Sequence, residues 1–353
     1  MDQVFSGNDV IITKLGCVGI ITLNRPKSLN ALNLDMIRAI SVALEKWRTD
    51  GDIKAVYMDG AGERAFCAGG DIKHFYKAGM DYRRGRIALD TAMIFFQEEY
   101  DLNSQIFHYP KPLIAHMHGL TMGGGFGLAG NAQYKIVDPN TKFAMPEAKI
   151  GFFPDVGSMY HLKLLNNKIG LYLAMSGTTI AANDMVYCGL AEYVAKKDAR
   201  EVLLSNLNEK LDNDELDCYD SVHNVLVNHK PMENGCALKE KENIIAKVFS
   251  GLSVSDILES ASKYKELEDV YKLMLLNSPL SMEIAYEYYH RPDLESFNDI
   301  IGKDLTLATN FARGRDFYEG IRAAVIDKDK RPVWEAKTQK DVGFDIVKSY
   351  FSQ

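Results

Sequence analysis

The sequence predicts an α/β fold that becomes mostly helical over its last third. Three observations carry this. Short apolar runs alternate with stretches of helical spacing through roughly the first 195 residues, the pattern of strands joined by helices. Strand signals then stop, and amphipathic helical patterns succeed one another towards the end. The 353 residues are 46% hydrophobic and 25% charged, as in an ordinary globular protein with a sizeable core. The expected organisation is an α/β core over residues 1–195, carrying the active site, and a helical region over residues 196–353.

Taken in order, CVGIITLNRP (17–26) is an apolar run stopped by Asn24, Arg25 and Pro26, which predicts a strand and then a loop. NLDMIRAISVALEKW (33–47) repeats apolar residues at Met36, Ile37, Ile40, Leu44 and Trp47, and Asn33 is a suitable N-cap for that helix. IKAVYMDG (53–60) is strand-like and stops at Asp-Gly; KPLIAHMHG (111–119) and AQYKIVD (132–138) add two more strands. Later, KENIIAKVFS, VSDILESASKY, SPLSMEIAYEYYH and LESFNDIIGKDLTLATNFA all read as amphipathic helices. No internal repeat or low-complexity segment interrupts them.

Bulk properties exclude several classes. A net charge of −7 and an isoelectric point near 5.7 argue against nucleic acid or an anionic membrane surface as partner. No apolar run approaches the roughly 18 residues that a membrane helix needs. The start, MDQVFSGNDV, shows no targeting pattern, and the end, SYFSQ, is not a peroxisomal tripeptide. Five cysteines (Cys17, Cys67, Cys188, Cys218 and Cys236) lie scattered without a C-x-x-C pair. They read as reduced thiols, and the expected location is cytoplasmic.

The chemistry is concentrated in a few segments. GLTMGGGFGLAG (119–130) holds Gly123, Gly124, Gly125 and Gly127. It is neither a P-loop nor a dinucleotide fingerprint, since no lysine follows the glycines and no G-x-G-x-x-G follows the first strand. Its plain reading is a turn with close packing; its functional reading is a helix start whose free N–H groups face a ligand oxygen. AFCAGGDI (65–72) repeats the device, with small residues Ala68, Gly69 and Gly70 after a strand and Asp71 at a helix start. Two such segments can aim two N–H donors at one carbonyl oxygen, an oxyanion hole suited to a thioester. FAMPEAKIGFFPDVG (143–157) then places two acids, Glu147 and Asp155, among apolar residues. Taken singly, Glu147 reads as an exposed carboxylate at a strand end and Asp155 as an N-cap after Pro154. Beside two oxyanion segments, the catalytic reading is preferred.

LNRPKSLNAL, AFCAGGDI, TMGGGFGLAG and FAMPEAKIGFFPDVG, in this order, resemble the crotonase (enoyl-CoA hydratase/isomerase) superfamily. The resemblance runs over nearly the whole chain, and DFYEGIRAAVIDKDKRPVW (316–334) resembles its acyl-CoA hydrolase branch. It implies a crotonase-like ββα spiral core ahead of the helical region. It implies that the N–H groups of Gly70 and Gly124 form the oxyanion hole. Glu147 matches the catalytic glutamate, Asp155 the aspartate of FPDVG, and Glu99 in EEYDLN (98–103) a substrate-contacting glutamate. Gly124, Glu147 and Asp155 would also contact substrate. Hydratases of the superfamily carry a second catalytic glutamate where this chain has Gly127.

The implied reaction is hydrolysis of a CoA thioester without a cofactor or metal. Glu147 would attack the carbonyl or activate a water, and Asp155 would position that water or bind a substrate hydroxyl. The alternatives are an enoyl-CoA hydratase or isomerase, against which Gly127 argues, and a non-catalytic acyl-CoA-binding protein. A homo-oligomer is compatible with any of these. Other features carry less. His116 and His118 share a strand face but lack a third ligand for a metal. Arg25 and Lys27 read as a solvated loop or as CoA-phosphate contacts, YEYYH (286–290) as helix packing, and Cys67 as a thiol without a base.

Overall fold

Eleven strands form among the described residues. They are β1 (Asp2–Gly7), β2 (Val10–Leu15), β3 (Val18–Leu23), β4 (Ala55–Gly60), β5 (Ala65–Cys67), β6 (Leu113–Met117), β7 (Leu120–Met122), β8 (Tyr134–Val137), β9 (Lys142–Ala144), β10 (Ile180–Ala181) and β11 (Tyr193–Val194). The computed structural model describes residues 2–7, 9–195, 199–213, 217–227 and 235–352. Its contacts group the chain into two units. The first comprises Met1–Gly70, Asp101–Phe143 and Ile180–Ala237; the second comprises Asp71–Tyr100, Ala144–Thr179 and Leu238–Gln353.

Two sheets organise the first unit. The larger has the order β1-β2-β3-β4-β6-β8-β11; β1, β2 and β3 pair antiparallel, and the strands from β3 to β11 pair parallel. The smaller has the order β10-β9-β7-β5. The four strands expected from the apolar runs at 17, 53, 111 and 132 are β3, β4, β6 and β8; the first three are buried almost throughout, and β8 is buried over its second half. The helix expected after Asn33 is Leu34–Thr49, and the Asn33 side chain accepts the Met36 N–H at 2.8 Å. Its apolar stripe is buried. Trp47 lies so close over β3 that a Cβ at Gly19 would sit 2.7 Å from its ring, so only glycine fits beneath it.

The strands do end at Val194 among the described residues, and the later elements are helical. The change at residue 195 is one of element type, while packing divides the chain elsewhere. The reason is apolar burial. Leu203, Leu207 and Leu211 of the helix Arg200–Asn213, with Val222 and Leu226 of Cys218–Leu226, pack on Val18, Ile20, Tyr57 and Ile114 of the large sheet. Each such side chain contributes about 1.5–3 kcal/mol.

The second unit has an aromatic centre. Phe152 and Phe317 stack at 4.2 Å between centroids, Phe75 meets Phe96 at 4.8 Å, and Phe153 stacks on Phe311 at 5.5 Å. These rings come from all three of its stretches, which ties residues far apart in sequence around the segment 147–157.

Candidate active site

The first unit brings the two glycine segments together. β5 and β7 are parallel neighbours, with Ala65 opposite Leu120 and Cys67 opposite Thr121, so the chain leaves both strands at the same end. A Cβ on Gly69 would lie 3.3 Å from the Met122 carbonyl oxygen and 3.8 Å from the Gly124 nitrogen. Gly69 has φ +106° and Gly123 φ +48°, conformations that glycine adopts without steric conflict. Gly124 opens the short helix Gly124–Ala129, where the first N–H groups have no partner within the helix. Gly125 is there for packing: a Cβ would meet the Cys67 carbonyl oxygen at 2.2 Å.

The LNRPKSLNAL loop holds the Gly69–Gly70 peptide in place. Leu32 N–H donates to the Gly69 carbonyl at 2.9 Å and Ala68 N–H donates to the Leu29 carbonyl at 3.0 Å. In a trans peptide the N–H points opposite to the carbonyl, so the Gly70 N–H is directed away from Leu32. Buried Asn30 locks the loop by donating to the carbonyls of Ala61 and Ala65 at 3.0 and 2.8 Å.

The second unit brings the three predicted acids together. Glu99 lies in the helix Leu89–Phe107, Glu147 opens a 3₁₀ turn, and Asp155 precedes the helix Ser158–Lys163. They are 2%, 6% and 5% exposed, so neither an exposed strand-end carboxylate nor a surface cap describes Glu147 or Asp155. Tyr100 O–H donates to Asp155 Oδ2 at 2.7 Å. Glu99 Oε1 and Glu147 Oε2 have no hydrogen-bond partner among the described residues. Burial, and then the Asp155 charge, pushes both glutamates well above the usual carboxylate range. Burial likewise raises Asp155 to about 7, opposed by the Tyr100 hydrogen bond. Because each acid's charge acts on the others, they titrate as a group rather than independently.

A fourth acid, which no sequence motif marks, supports this group. Asp304, from the helix Phe297–Arg313, is fully buried and accepts the Gly157 N–H on Oδ2 at 2.7 Å. The turn it holds is strained: Val156 has φ +57° and Gly157 φ +74°. A β-branched residue in the left-handed region costs on the order of 1–3 kcal/mol. Tyr288, expected from the sequence to serve helix packing, is buried with its hydroxyl 2.7 Å from Asp304 Oδ1 and 2.8 Å from the Ile300 carbonyl. The signal for Asp304 was present: it sits on the apolar face of its helix between Ile300 and Leu307, both buried.

The remaining candidates fall elsewhere or serve packing. His116 is held between the Tyr57 hydroxyl at 2.5 Å and Asp138 at 2.8 Å. It lines, with His118, Asp59 and Arg200, a cleft of about 540 Å³ in the first unit. No group of metal-ligating side chains occurs among the described residues. Arg25 is engaged within its own loop by the Ala31 carbonyl at 2.6 Å and by Asp9 at 3.4 Å, while Lys27 is exposed. Cys67 is fully buried in β5 and Gly127 lies buried in the glycine helix. No helix among the described residues is long and apolar enough to cross a membrane.

A glycine-lined pair of parallel strand ends on a two-sheet core, followed by a helical region, defines a class. The enoyl-CoA hydratase/isomerase family model matches residues 18–351, and the chain belongs to that family. Among proteins of known function it is similar to the mitochondrial 3-hydroxyisobutyryl-CoA hydrolase of Danio rerio, 37% identical over 98% of this chain and 90% of that one. The human protein of the same name is 34% identical over 98% and 89%. Two solved structures share the fold at 30% identity, a TM-score of 0.87 and coverage of 98% of this chain and 97% of theirs. They are a carnitinyl-CoA dehydratase from Mycobacterium thermoresistibile and an enoyl-CoA hydratase from Rhodobacter sphaeroides 2.4.1.

One expectation is overturned. The scattered cysteines suggested a cytoplasmic protein, but these hydrolases, from fish to mammals, carry "mitochondrial" in their names. Cysteine spacing bears on redox conditions alone; it does not separate the cytosol from an organelle interior that is also reducing.

Proposed function

We propose that this chain hydrolyses the thioester of 3-hydroxyisobutyryl-CoA, an intermediate of valine degradation, to the free acid and CoA, and that it works in the mitochondrion as its vertebrate relatives do. The observation that carries the proposal is the set of buried acids: Glu99, Glu147 and Asp155 gather in the second unit, while Gly127 stands where a hydratase has its second glutamate. In this reading the N–H groups of Gly70 and Gly124 polarise the carbonyl and stabilise the tetrahedral oxyanion. Glu147 either takes a proton from the attacking water, or attacks the carbonyl itself to give an acyl anhydride that water then hydrolyses. In both routes the C–S bond breaks as the CoA thiolate leaves, and the thiolate takes up a proton from the water consumed. Glu99 and Asp155 receive the substrate hydroxyl. The partner is the CoA thioester, with no role for nucleic acid.

A buried acid without its hydroxyl partner is left unsatisfied, which discriminates more strongly than a missing methylene. Free-thiol release from a panel of acyl-CoAs, with enoyl-CoA hydration measured alongside, tests the proposal. The 3-hydroxyisobutyryl thioester is expected to exceed isobutyryl-CoA in kcat/KM by on the order of 10². Equal values would remove the substrate assignment and leave a hydrolase; hydration without thiol release would remove the hydrolase.

A further inference from the structure

The contacts of Asp304 favour one place for its proton. A phenol carries one hydrogen, yet the Tyr288 hydroxyl lies within hydrogen-bond distance of two acceptors, the Ile300 carbonyl at 2.8 Å and Asp304 Oδ1 at 2.7 Å. A single hydrogen can serve both only as a bifurcated, weaker bond; two full hydrogen bonds form when Tyr288 donates to Ile300 and Asp304 Oδ1–H donates to the phenol oxygen. The other carboxyl oxygen, Oδ2, is the acceptor for Gly157 N–H at 2.7 Å. A neutral carboxylic acid, with one donor and one acceptor, fits this pair of neighbours; a carboxylate leaves the Tyr288–Asp304 and Tyr288–Ile300 contacts competing for one hydrogen.

We propose that Asp304 acts as a neutral positioning residue: its carboxylic acid, clamped by Tyr288, pins the left-handed Val156–Gly157 turn and thereby fixes the direction of Asp155. Full burial, then the nearby Asp155 charge, pushes its carboxyl well above the usual carboxylate range. Val156 and Gly157 both have positive φ, and a strained turn persists only where its surroundings over-determine it. The Gly157 N–H bond to a helix from the last stretch of the chain supplies that constraint. The role rests on the proposed hydrolase reading, since Asp155 is the group being positioned; the protonation state does not.

The test uses the full-length protein and two substitutions. Asparagine reproduces a neutral acid's pattern, with its carbonyl accepting from Gly157 and its amide donating to Tyr288. Asp304→Asn is therefore expected to keep kcat within about threefold of the parent, while Asp304→Ala lowers kcat on the order of 10²-fold with little change in KM. Infrared difference spectra, parent minus Asp304→Asn, should show the carbonyl band of a protonated carboxylic acid that persists through neutral pH. That band is independent of turnover and of whether Asp304→Ala folds. An Asn variant as inactive as the Ala variant, or a carboxylate band in place of the acid band, overturns the neutral clamp; an Ala variant with parental kcat overturns the positioning role. Thiol release by the parent, measured in the same series, separates either result from failure of the hydrolase reading.

Discussion

The glycine segments of the first unit and the acid cluster of the second are opposite ways of preparing for charge. Peptide N–H groups do not titrate, so the field around Gly70 and Gly124 is the same at every ordinary pH. Its cost is conformational, and glycines at positive φ meet it. Glu99, Glu147 and Asp155 carry charge that depends on pH, and their cost is desolvation, which burial has already imposed. The lesson is a division of labour: changes in the first region should scale the rate, and changes in the second should also move its pH dependence.

The largest expected effect comes from the acid side. Glu147→Gln should lower kcat by roughly 10³-fold, within the usual range for a lost general base, with thioester affinity retained in a direct binding measurement. Turnover close to that of the parent would take Glu147 out of the chemistry. In the parent, activity should rise with pH along an acid limb, because the reactive form needs a deprotonated carboxylate. Burial places that limb above the usual carboxylate range, and its position belongs to the group as a whole.

On the glycine side the effect should be smaller and flat. Gly124→Val, checked for folding by circular dichroism, is expected to lose on the order of 10² in kcat while the acid limb keeps its position. A limb displaced in this variant would show that the two regions do not act separately.

The smallest effect sharpens the cost. Glu99 has its folded pKa raised by burial and then by Asp155. Its contribution to stability is therefore fully present below the unfolded carboxylate value, about 4.3, and is lost as pH climbs towards the folded value. Glu99→Gln removes that loss. Its melting temperature should exceed the parent's at alkaline pH by on the order of 2 °C, and the gain should fade as pH drops towards the unfolded value. A gain that is equal across this range would mean that something other than ionisation is being relieved.

How much of this was readable from sequence differs between the two regions for a physical reason. The strands β3, β4 and β6 are largely apolar runs, β8 ends in one, and the helix after Asn33 has both its period and its cap, so local pattern suffices. The glycine segments and the acids of PEAKIGFFPDVG were visible as short motifs. The two- and three-residue strands β5, β7, β9, β10 and β11 have no period to read and exist through pairing with distant partners. Asp304 and Tyr288 meet Gly157 only through the fold, so no local window holds the reason for an acid on the apolar face of Phe297–Arg313. Cysteine usage failed on location because it reports redox state alone.

The interleaving of the two units has a consequence for biosynthesis. The first unit is complete in sequence once Ala237 has been made, whereas the second draws its final stretch from Leu238–Gln353. A ribosome therefore presents Glu99, Glu147 and Asp155 well before Asp304, Phe311 and Phe317, which pack on Phe152, Phe153 and the Gly157 turn beside them. The full desolvation cost of these buried acids arises only when the last stretch of the chain has been made.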